Sequence, residues 1–212
     1  MPISDLRREY TLGSLRRKDL LPDPIAQFRV WFDAATAAGV SEPNAMTVST
    51  VGLNGRPSAR IILLKGVDER GFSFFTNYES RKAQELAAKP FAALTFLWKE
   101  LERQVRVEGT VTKVSREESE AYFRSRPRNS RLGAWGSPQS QVIANREVLE
   151  QNMAELQARH PGDDVPLPQN WGGYMVKPEV IEFWQGQPSR LHDRLVYRLQ
   201  KDGAWSVERL AP

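Results

Sequence analysis

Arg103-Gln104-Val105-Arg106-Val107-Glu108-Gly109-Thr110-Val111-Thr112-Lys113-Val114 alternates apolar and polar side chains along most of its length. Val105, Val107 and Val111 fall on one face, and Gln104, Arg106, Glu108 and Thr110 on the other. A period of two over such a run predicts a half-buried strand. The segments around it share this character. Phe91 to Trp98 predicts the strand before it. Ala45 to Leu53 and Ser58 to Lys65 are rich in β-branched and aliphatic residues, and Asn54-Gly55 between them signals a two-residue hairpin. Gly71 to Thr76 predicts another strand after the turn Asp68-Glu69-Arg70-Gly71. Toward the C-terminus, strands are expected at Gly173 to Val176, Val180 to Gln185, Arg194 to Leu199 and Trp205 to Leu210, the last two joined across Asp202-Gly203. Sequential antiparallel strands of this kind predict a barrel or a sandwich.

Helices flank this β-rich frame. Pro24 suits a first helical turn, Phe28, Trp31 and Phe32 follow at spacings of three and four, and Gly39 stops the run. Ser80 to Lys89 reads as a short amphipathic helix. Ser115-Arg116-Glu117-Glu118 is a capping box that opens a helix through about Arg124. Pro138 to His160 carries the longest helical pattern, with Val142, Leu149, Met153 and Leu156 on one stripe. Residues 1–23 are polar and basic and read as an N-terminal arm. Strands continue to the C-terminus with no linker, so residues 24–212 are expected to form a single domain, and 212 residues suffice to bury a full core.

The composition excludes several chemistries. With no cysteine there are no disulfides, thiolate metal sites or cysteine nucleophiles, and the chain suits a reducing compartment. Two histidines, His160 and His192, cannot build a three-histidine zinc site. The longest strongly apolar stretch, Phe91 to Trp98, is far short of the roughly 20 residues of a membrane helix. The N-terminus lacks the apolar core of a signal peptide, so a cytoplasmic location is expected. Lys and Arg number 30 against 26 Asp and Glu, a small excess, so local clusters matter more than the sum.

Four clusters stand out. Thr76-Asn77-Tyr78-Glu79-Ser80-Arg81-Lys82 places two cations at a helix N-terminus, where the free N–H groups already carry positive charge. A bound phosphate explains that arrangement; a solvated surface pair is the simpler alternative. Arg60-Ile61-Ile62-Leu63-Leu64-Lys65 carries a cation at each end of an apolar strand, on opposite faces if the strand is regular. Tyr122 to Arg131 packs four arginines and two serines around Pro127, a set that suits phosphate oxygens and also nucleic acid. In Trp184 to Arg194, the side chains of Arg190, His192 and Arg194 share one face if the segment is extended. A histidine between two same-face arginines is strained near neutral pH, which favours an anion-binding or catalytic face. Nucleotide-binding glycine loops and a nucleophile elbow are absent. Cations dominate these clusters and acids do not, so a cofactor is expected to carry the difficult step. A basic barrel that holds single-stranded nucleic acid would explain the arginines, but not the concentration of Arg, His and Trp in one short hairpin.

Taken together, the segments resemble the pyridoxine/pyridoxamine 5′-phosphate oxidase family over nearly the whole chain. The resemblance rests on Leu6-Arg7-Arg8-Glu9-Tyr10, Arg60 to Lys65, Ser80-Arg81-Lys82, Leu101-Glu102-Arg103-Gln104-Val105, Ser125-Arg126-Pro127-Arg128 with Ser130, Gln139-Ser140, Trp171-Gly172-Gly173, Glu182 to Gly186, Arg190-Leu191-His192-Asp193-Arg194 and the terminal Arg209-Leu210-Ala211-Pro212. It implies a mainly β fold, an FMN-binding split β-barrel with flanking α-helices. It also implies a homodimer with active sites at the subunit interface, acting on phosphorylated B6 vitamers rather than on nucleic acid or a membrane. The implied reaction oxidises pyridoxine or pyridoxamine 5′-phosphate to pyridoxal 5′-phosphate, with hydride passing from substrate C4′ to flavin N5. Dioxygen accepts the electrons, hydrogen peroxide is released, and the amine also yields ammonia.

Carried over by resemblance, the FMN set comprises Arg60, Ile61, Phe75, Thr76, Arg81, Lys82, Gln104, Gln139, Ser140, Trp184 and Arg194, some from the partner subunit. The substrate set comprises Lys65, Tyr122, Arg126 and Ser130 on the phosphate, with Arg190 and His192 over the ring as the catalytic pair. Arg7 and Tyr10 close the site as a lid from the arm. No metal is expected. A related split-barrel flavoprotein with another ligand is the alternative, and a phosphate-free ligand would not need that phosphate set.

Overall fold

The computed structural model describes residues 1–212. Nine strands form one antiparallel sheet: β1 (Ala45–Val51), β2 (Pro57–Leu63), β3 (Gly66–Asp68), β4 (Gly71–Asn77), β5 (Phe91–Trp98), β6 (Arg103–Lys113), β7 (Trp171–Gln185), β8 (Asp193–Leu199) and β9 (Trp205–Leu210). Their order is β2-β1-β5-β6-β7-β4-β3, with β8 and then β9 added beside β7. The pairing is less sequential than the chain order suggests, since β1 reaches β5 and β4 reaches β7.

β2 and β3 end this path yet are neighbours in sequence, joined by Leu64 and Lys65. The Leu64 amide donates to Asn44 O and the Lys65 amide to Ser73 O, so the link is stitched to both sides without a ladder between the two strands. The sheet curls toward a barrel and stays open at that seam.

β7 corrects the expectation of two short strands. Its first half, Trp171 to Val176, pairs with β4, and its second half, Val180 to Gln185, pairs with β8. Pro178 sits at the change of partners, beside the register shift at Glu108/Gly109 in β6. Proline has no ladder donor and is tolerated at such a bulge. Gly109 is required there, because a Cβ would lie 1.9 Å from the Lys177 carbonyl oxygen.

Helix α1 (Pro24–Ala37) forms as expected, with Asp23 as its N-cap accepting from the Ile25 and Ala26 amides at 3.0 and 3.1 Å. Phe28 meets Phe72 edge-on at 4.8 Å and Phe96 at 5.0 Å, while Trp31 meets Phe183 at 5.1 Å. This face of α1 and the inward valines of β6 form the main core. α2 (Arg81–Ala88) and α3 (Arg116–Ser125) also match, the latter with its capping box made in both directions.

Two local expectations change. The β1–β2 connection is the five-residue loop Gly52 to Arg56 rather than a two-residue turn, closed by the Gly52 amide on Arg56 O. The expected helix from Pro138 is shorter, as α5 (Glu147–Arg159). Ser140 has φ +71°, which breaks a helix, and Val142, assigned to the buried stripe, is fully exposed. The arginine-rich segment continues after Pro127 as a helix, α4 (Arg128–Gly136), which buries Leu132 against a second core of Phe123, Leu156, Val165 and Trp171. No helix is long and apolar enough to cross a membrane.

Candidate functional site

Two clusters of cations sit beside the N-terminus of α2. Arg60, on β2, donates to Thr50 Oγ1 and Ser58 Oγ at 2.6 Å each and lies 3.5 Å from Glu85 Oε2. Glu85 also accepts from Thr50 at 2.5 Å, Ser58 at 2.6 Å and Arg81 at 2.9 Å. Burial pushes the Glu85 carboxyl up, but the hydrogen bonds from Ser58, Thr50 and Arg81 and the charge of Arg81 outweigh it and hold the pKa at about 2. Its stabilising effect is therefore complete above the ordinary value of 4.5 and is lost as pH falls toward 2. Glu85→Ala is expected to cost about 2 kcal/mol at pH 7, since it strips a buried anion from two arginines. Urea unfolding checks this, and the difference from the parent should shrink toward pH 2.

Lys82 is in a different situation. It is 7% exposed, and Nζ contacts only neutral oxygens: Thr76 Oγ1 at 2.9 Å, Gln139 Oε1 at 3.3 Å and Ser80 Oγ at 3.4 Å. Burial, aided by the charge of Arg60, lowers its pKa to about 8. Thr76 donates to Gln139 at 2.9 Å, so strand β4, helix α2 and the loop after α4 converge on one ammonium. Ser80 occupies the N-cap position, but its hydroxyl makes no cap hydrogen bond. A buried ammonium with no anion beside free helix amides fits a phosphate. Ser140 follows Gln139 at positive φ and is exposed. Ile61 is exposed on β2, opposite Thr47.

A second group lies where β4 meets α3. Phe75 and Tyr122 stack at 4.0 Å with their planes 20° apart, and Trp171 continues the stack 5.7 Å from Phe75. The Arg126 guanidinium lies 4.6 Å over the Trp171 ring. Its Nη1 is buried with no hydrogen-bond partner, and burial lowers its pKa. Ser130 stands in the first turn of α4, four residues on, and is exposed. Lys65 is exposed at the seam between β2 and β3, its amide on Ser73, two residues before Phe75.

A third group lies across the other end of the sheet. Gln104, Trp184 and Arg194 form one cross-strand row, Gln104 opposite Trp184 and Trp184 opposite Arg194. Tyr10 of the arm meets Trp184 edge-on at 5.6 Å and His192 at the same distance, and Trp184 lies 4.6 Å from His192. Arg7, Tyr10, Arg190 and His192 line a cavity of about 520 Å³. The extended face expected for Arg190, His192 and Arg194 is not what forms. Pro188 to Arg190 is a tight turn, with Ser189 and Arg190 at φ +56° and +62°, and it ends the alternation. Arg194 instead lies in β8 and is held by Glu182 at 2.7 and 3.0 Å and by Ala211 O at 3.0 Å. The arm is pinned as well, with the Leu15 amide on Asp193 at 2.9 Å and Arg209 bridging Asp193 and Leu15 O.

The expected residues therefore gather in three places, and no hydrogen bond or ion pair joins the third to the other two. Sequence reading left Glu85 without a role, although its i, i+4 spacing from Arg81 was a visible signal. The aromatic stack between Phe75, Tyr122 and Trp171 had no signal in any one segment.

Comparison with known proteins gives concordant results. Residues 32–160 match the family described as pyridoxamine 5′-phosphate oxidase. Residues 171–212 match the pyridoxine 5′-phosphate oxidase C-terminal dimerisation region. A protein of Cupriavidus pinatubonensis named pyridoxine/pyridoxamine 5′-phosphate oxidase is 59% identical over 210 residues, covering 99% of each chain. One of the same name from a Nostoc species is 58% identical over 210 residues, covering 99% of this chain and 98% of that one. Among solved structures, PhzG from Burkholderia lata, in complex with tetrahydrophenazine-1-carboxylic acid, superimposes with a TM-score of 0.89 at 30% identity, covering 95% of this chain and 99% of that one. An FMN-binding protein of Nostoc punctiforme shares the fold at 20% identity, with a TM-score of 0.71 over 92% of this chain and all of that one.

Proposed function

The chain belongs to the pyridoxamine 5′-phosphate oxidase family, and from that premise we propose that it oxidises pyridoxine 5′-phosphate and pyridoxamine 5′-phosphate to pyridoxal 5′-phosphate with FMN as cofactor. The alcohol and one dioxygen give the aldehyde and hydrogen peroxide; the amine also takes up water and releases ammonia. The observation that carries the reading is a pair of cations with no anion of their own: buried Lys82, and half-buried Arg126, whose Nη1 is buried without a partner. Two such sites answer to two phosphates, one on the cofactor and one on the substrate.

Lys82, Arg81 and Arg60, with Thr76, Gln139 and Ser140, would hold the FMN phosphate, and Ile61 and Phe75 would flank the cofactor. Arg126, Tyr122, Ser130 and Lys65 would hold the substrate phosphate. Bound FMN supplies the two-electron redox chemistry that links the substrate's C4′ carbon to dioxygen. The chain's own task is to hold the two rings together and keep water out, which can lower a barrier by several kcal/mol. Arg190 and His192 would lie over the substrate ring, with Arg7 and Tyr10 closing the arm across it. His192 Nδ1 accepts the Gln187 amide at 3.1 Å, so the neutral ring carries its proton on Nε2 and can exchange it there.

The third group lies apart from the two phosphate groups within one chain. This supports active sites at a homodimer interface, with Gln104, Trp184, Arg190, His192 and Arg194 of one protomer completing the site of the other. The residues from Trp184 to Arg194 lie inside the dimerisation region, and Ile61 and Leu97 expose apolar surface on the outward sheet face. We place the enzyme in the cytoplasm, in keeping with its cysteine-free sequence.

An absorbance spectrum tests the whole reading. The purified protein should show flavin bands that bleach when pyridoxine 5′-phosphate is added without oxygen and return with air. Bands that persist would assign a different substrate, and a protein that neither carries nor takes up FMN would end the cofactor assignment.

A further inference from the structure

We propose that Glu102 is a positioning residue for the reaction: its buried carboxylate latches residues 8–12 of the arm so that Tyr10 stands against Trp184 and His192. The proposal rests on the reading of Tyr10 and His192 as part of the substrate wall.

Glu102 closes the short turn between β5 and β6 with φ +55° and ψ +39°, a left-handed conformation for which glycine or asparagine is the ordinary choice. A glutamate kept in that region points to a task for its side chain. The residue is 2% exposed. Oε2 accepts the amides of Thr11 at 2.8 Å and Leu12 at 2.9 Å, and Oε1 lies 3.2 Å from Arg8 Nη2. Every hydrogen bond or ion pair that residues 8–12 make to the rest of the chain ends on this one carboxylate. The other ties of the arm lie farther on, at Gly13, Leu15 and Leu21.

The same residue also fixes the surface that the arm lands on. Its backbone carbonyl accepts the Gly186 amide at 2.8 Å and Gln185 Nε2 at 3.2 Å, which joins the turn to the end of β7. Gly186 lets the arm close in, because a Cβ there would lie 2.7 Å from Tyr10 Cβ and Cγ. Arg8 and Tyr10 thereby form the wall between two cavities, one of about 520 Å³ beside Arg190 and His192 and one of about 380 Å³ beside Gln104 and Trp184. Without the latch, Tyr10 keeps only its ring contacts with Trp184 and His192 at that wall.

Glu102→Gly separates the latch from the fold, since glycine suits the left-handed corner and removes the side chain while keeping the backbone carbonyl that holds Gly186 and Gln185. The FMN-loaded variant should keep its FMN and its melting temperature, raise KM for pyridoxine 5′-phosphate about tenfold, and change kcat less. Trypsin should cut it after Arg8 faster than it cuts the parent. Glu102→Gln, which retains an acceptor for the two amides and loses the charge toward Arg8, should fall between the two. A parental KM and cleavage rate would overturn the proposal. So would a joint loss of FMN and thermal stability, which would mark Glu102 as part of the scaffold. The cleavage rate is read whether or not the parent turns over this substrate, so failure of the oxidase reading stays distinct from failure of the latch.

Discussion

Arg126→Leu is expected to raise KM for pyridoxine 5′-phosphate by about 100- to 1000-fold while FMN content stays at the parental level. The guanidinium lies over Trp171 with Nη1 buried and unpartnered, so its charge is partly withdrawn from water with no anion in the chain to receive it. A phosphate oxygen there would complete a charge-assisted hydrogen bond in a dry site, and removing one side of such a pair costs about 2–5 kcal/mol. The free protein should lose far less, because the leucine forfeits only the cation–π contacts with Trp171 and Phe123, on the order of 1 kcal/mol. Arg126→Lys should not restore binding, since an ammonium neither stacks on the indole as a plane nor offers a fork to the phosphate. The decisive comparison is between pyridoxine 5′-phosphate and pyridoxine as ligands. The parent should discriminate strongly between them and the leucine variant weakly; equal discrimination by both proteins would remove Arg126 from the phosphate site.

The readable and unreadable parts of this molecule divide by the range of the forces involved. The alternation of β6 and the apolar stripe of α1 are local patterns, and each forms where the sequence puts it. Gly173 to Val176 and Val180 to Gln185 read as separate strands, and only the irregularity at Glu108/Gly109 in β6 lets Pro178 sit in the middle of a single long one. The stripe through Val142 fails for the converse reason: left-handed Ser140 takes the chain out of the helix that the pattern suggests. In the candidate site, Arg81 and Lys82 were visible as cations placed where a helix disfavours them. The long-range partners of the carboxylates that organise the site were not. Glu85 acts on Arg60, 25 residues away, and Glu102 on Thr11, 91 residues away, so their roles exist only after the sheet has formed. The period-two reading of Arg190, His192 and Arg194 assumed an extended chain, and the turn at Pro188 removes that premise while Glu182 claims Arg194.

Lys82→Met is expected to move two properties in opposite directions, making the FMN-free protein more stable and weakening FMN binding by about 100-fold. At pH 7 the parent keeps a buried ammonium among neutral oxygens, and the fall of its pKa from 10.5 to about 8 corresponds to a cost of about 3 kcal/mol. Methionine is close in length, fills the same space, and leaves the Thr76–Gln139 hydrogen bond in place. The sign of the pH dependence follows. Between pH 8 and 10.5 the unfolded chain binds a proton at Lys82 that the folded chain has released, so stability of the FMN-free parent rises with pH across that window. Below pH 8 the cost is present in full, and above 10.5 it is gone. The methionine variant should lack this slope, and the difference between the two proteins isolates Lys82 from every other alkaline titration. A phosphate dianion reverses the balance by supplying the missing partner, so FMN binding should take up a proton near pH 8 to 9, and the parent's FMN affinity should fall as pH rises through that range. Urea unfolding at pH 7 and pH 10, with fluorescence titration of FMN at the same two values, measures both effects. If parent and variant respond alike to pH, Lys82 is not the group that receives the cofactor phosphate, and the unpaired charge at the start of α2 would need another anion.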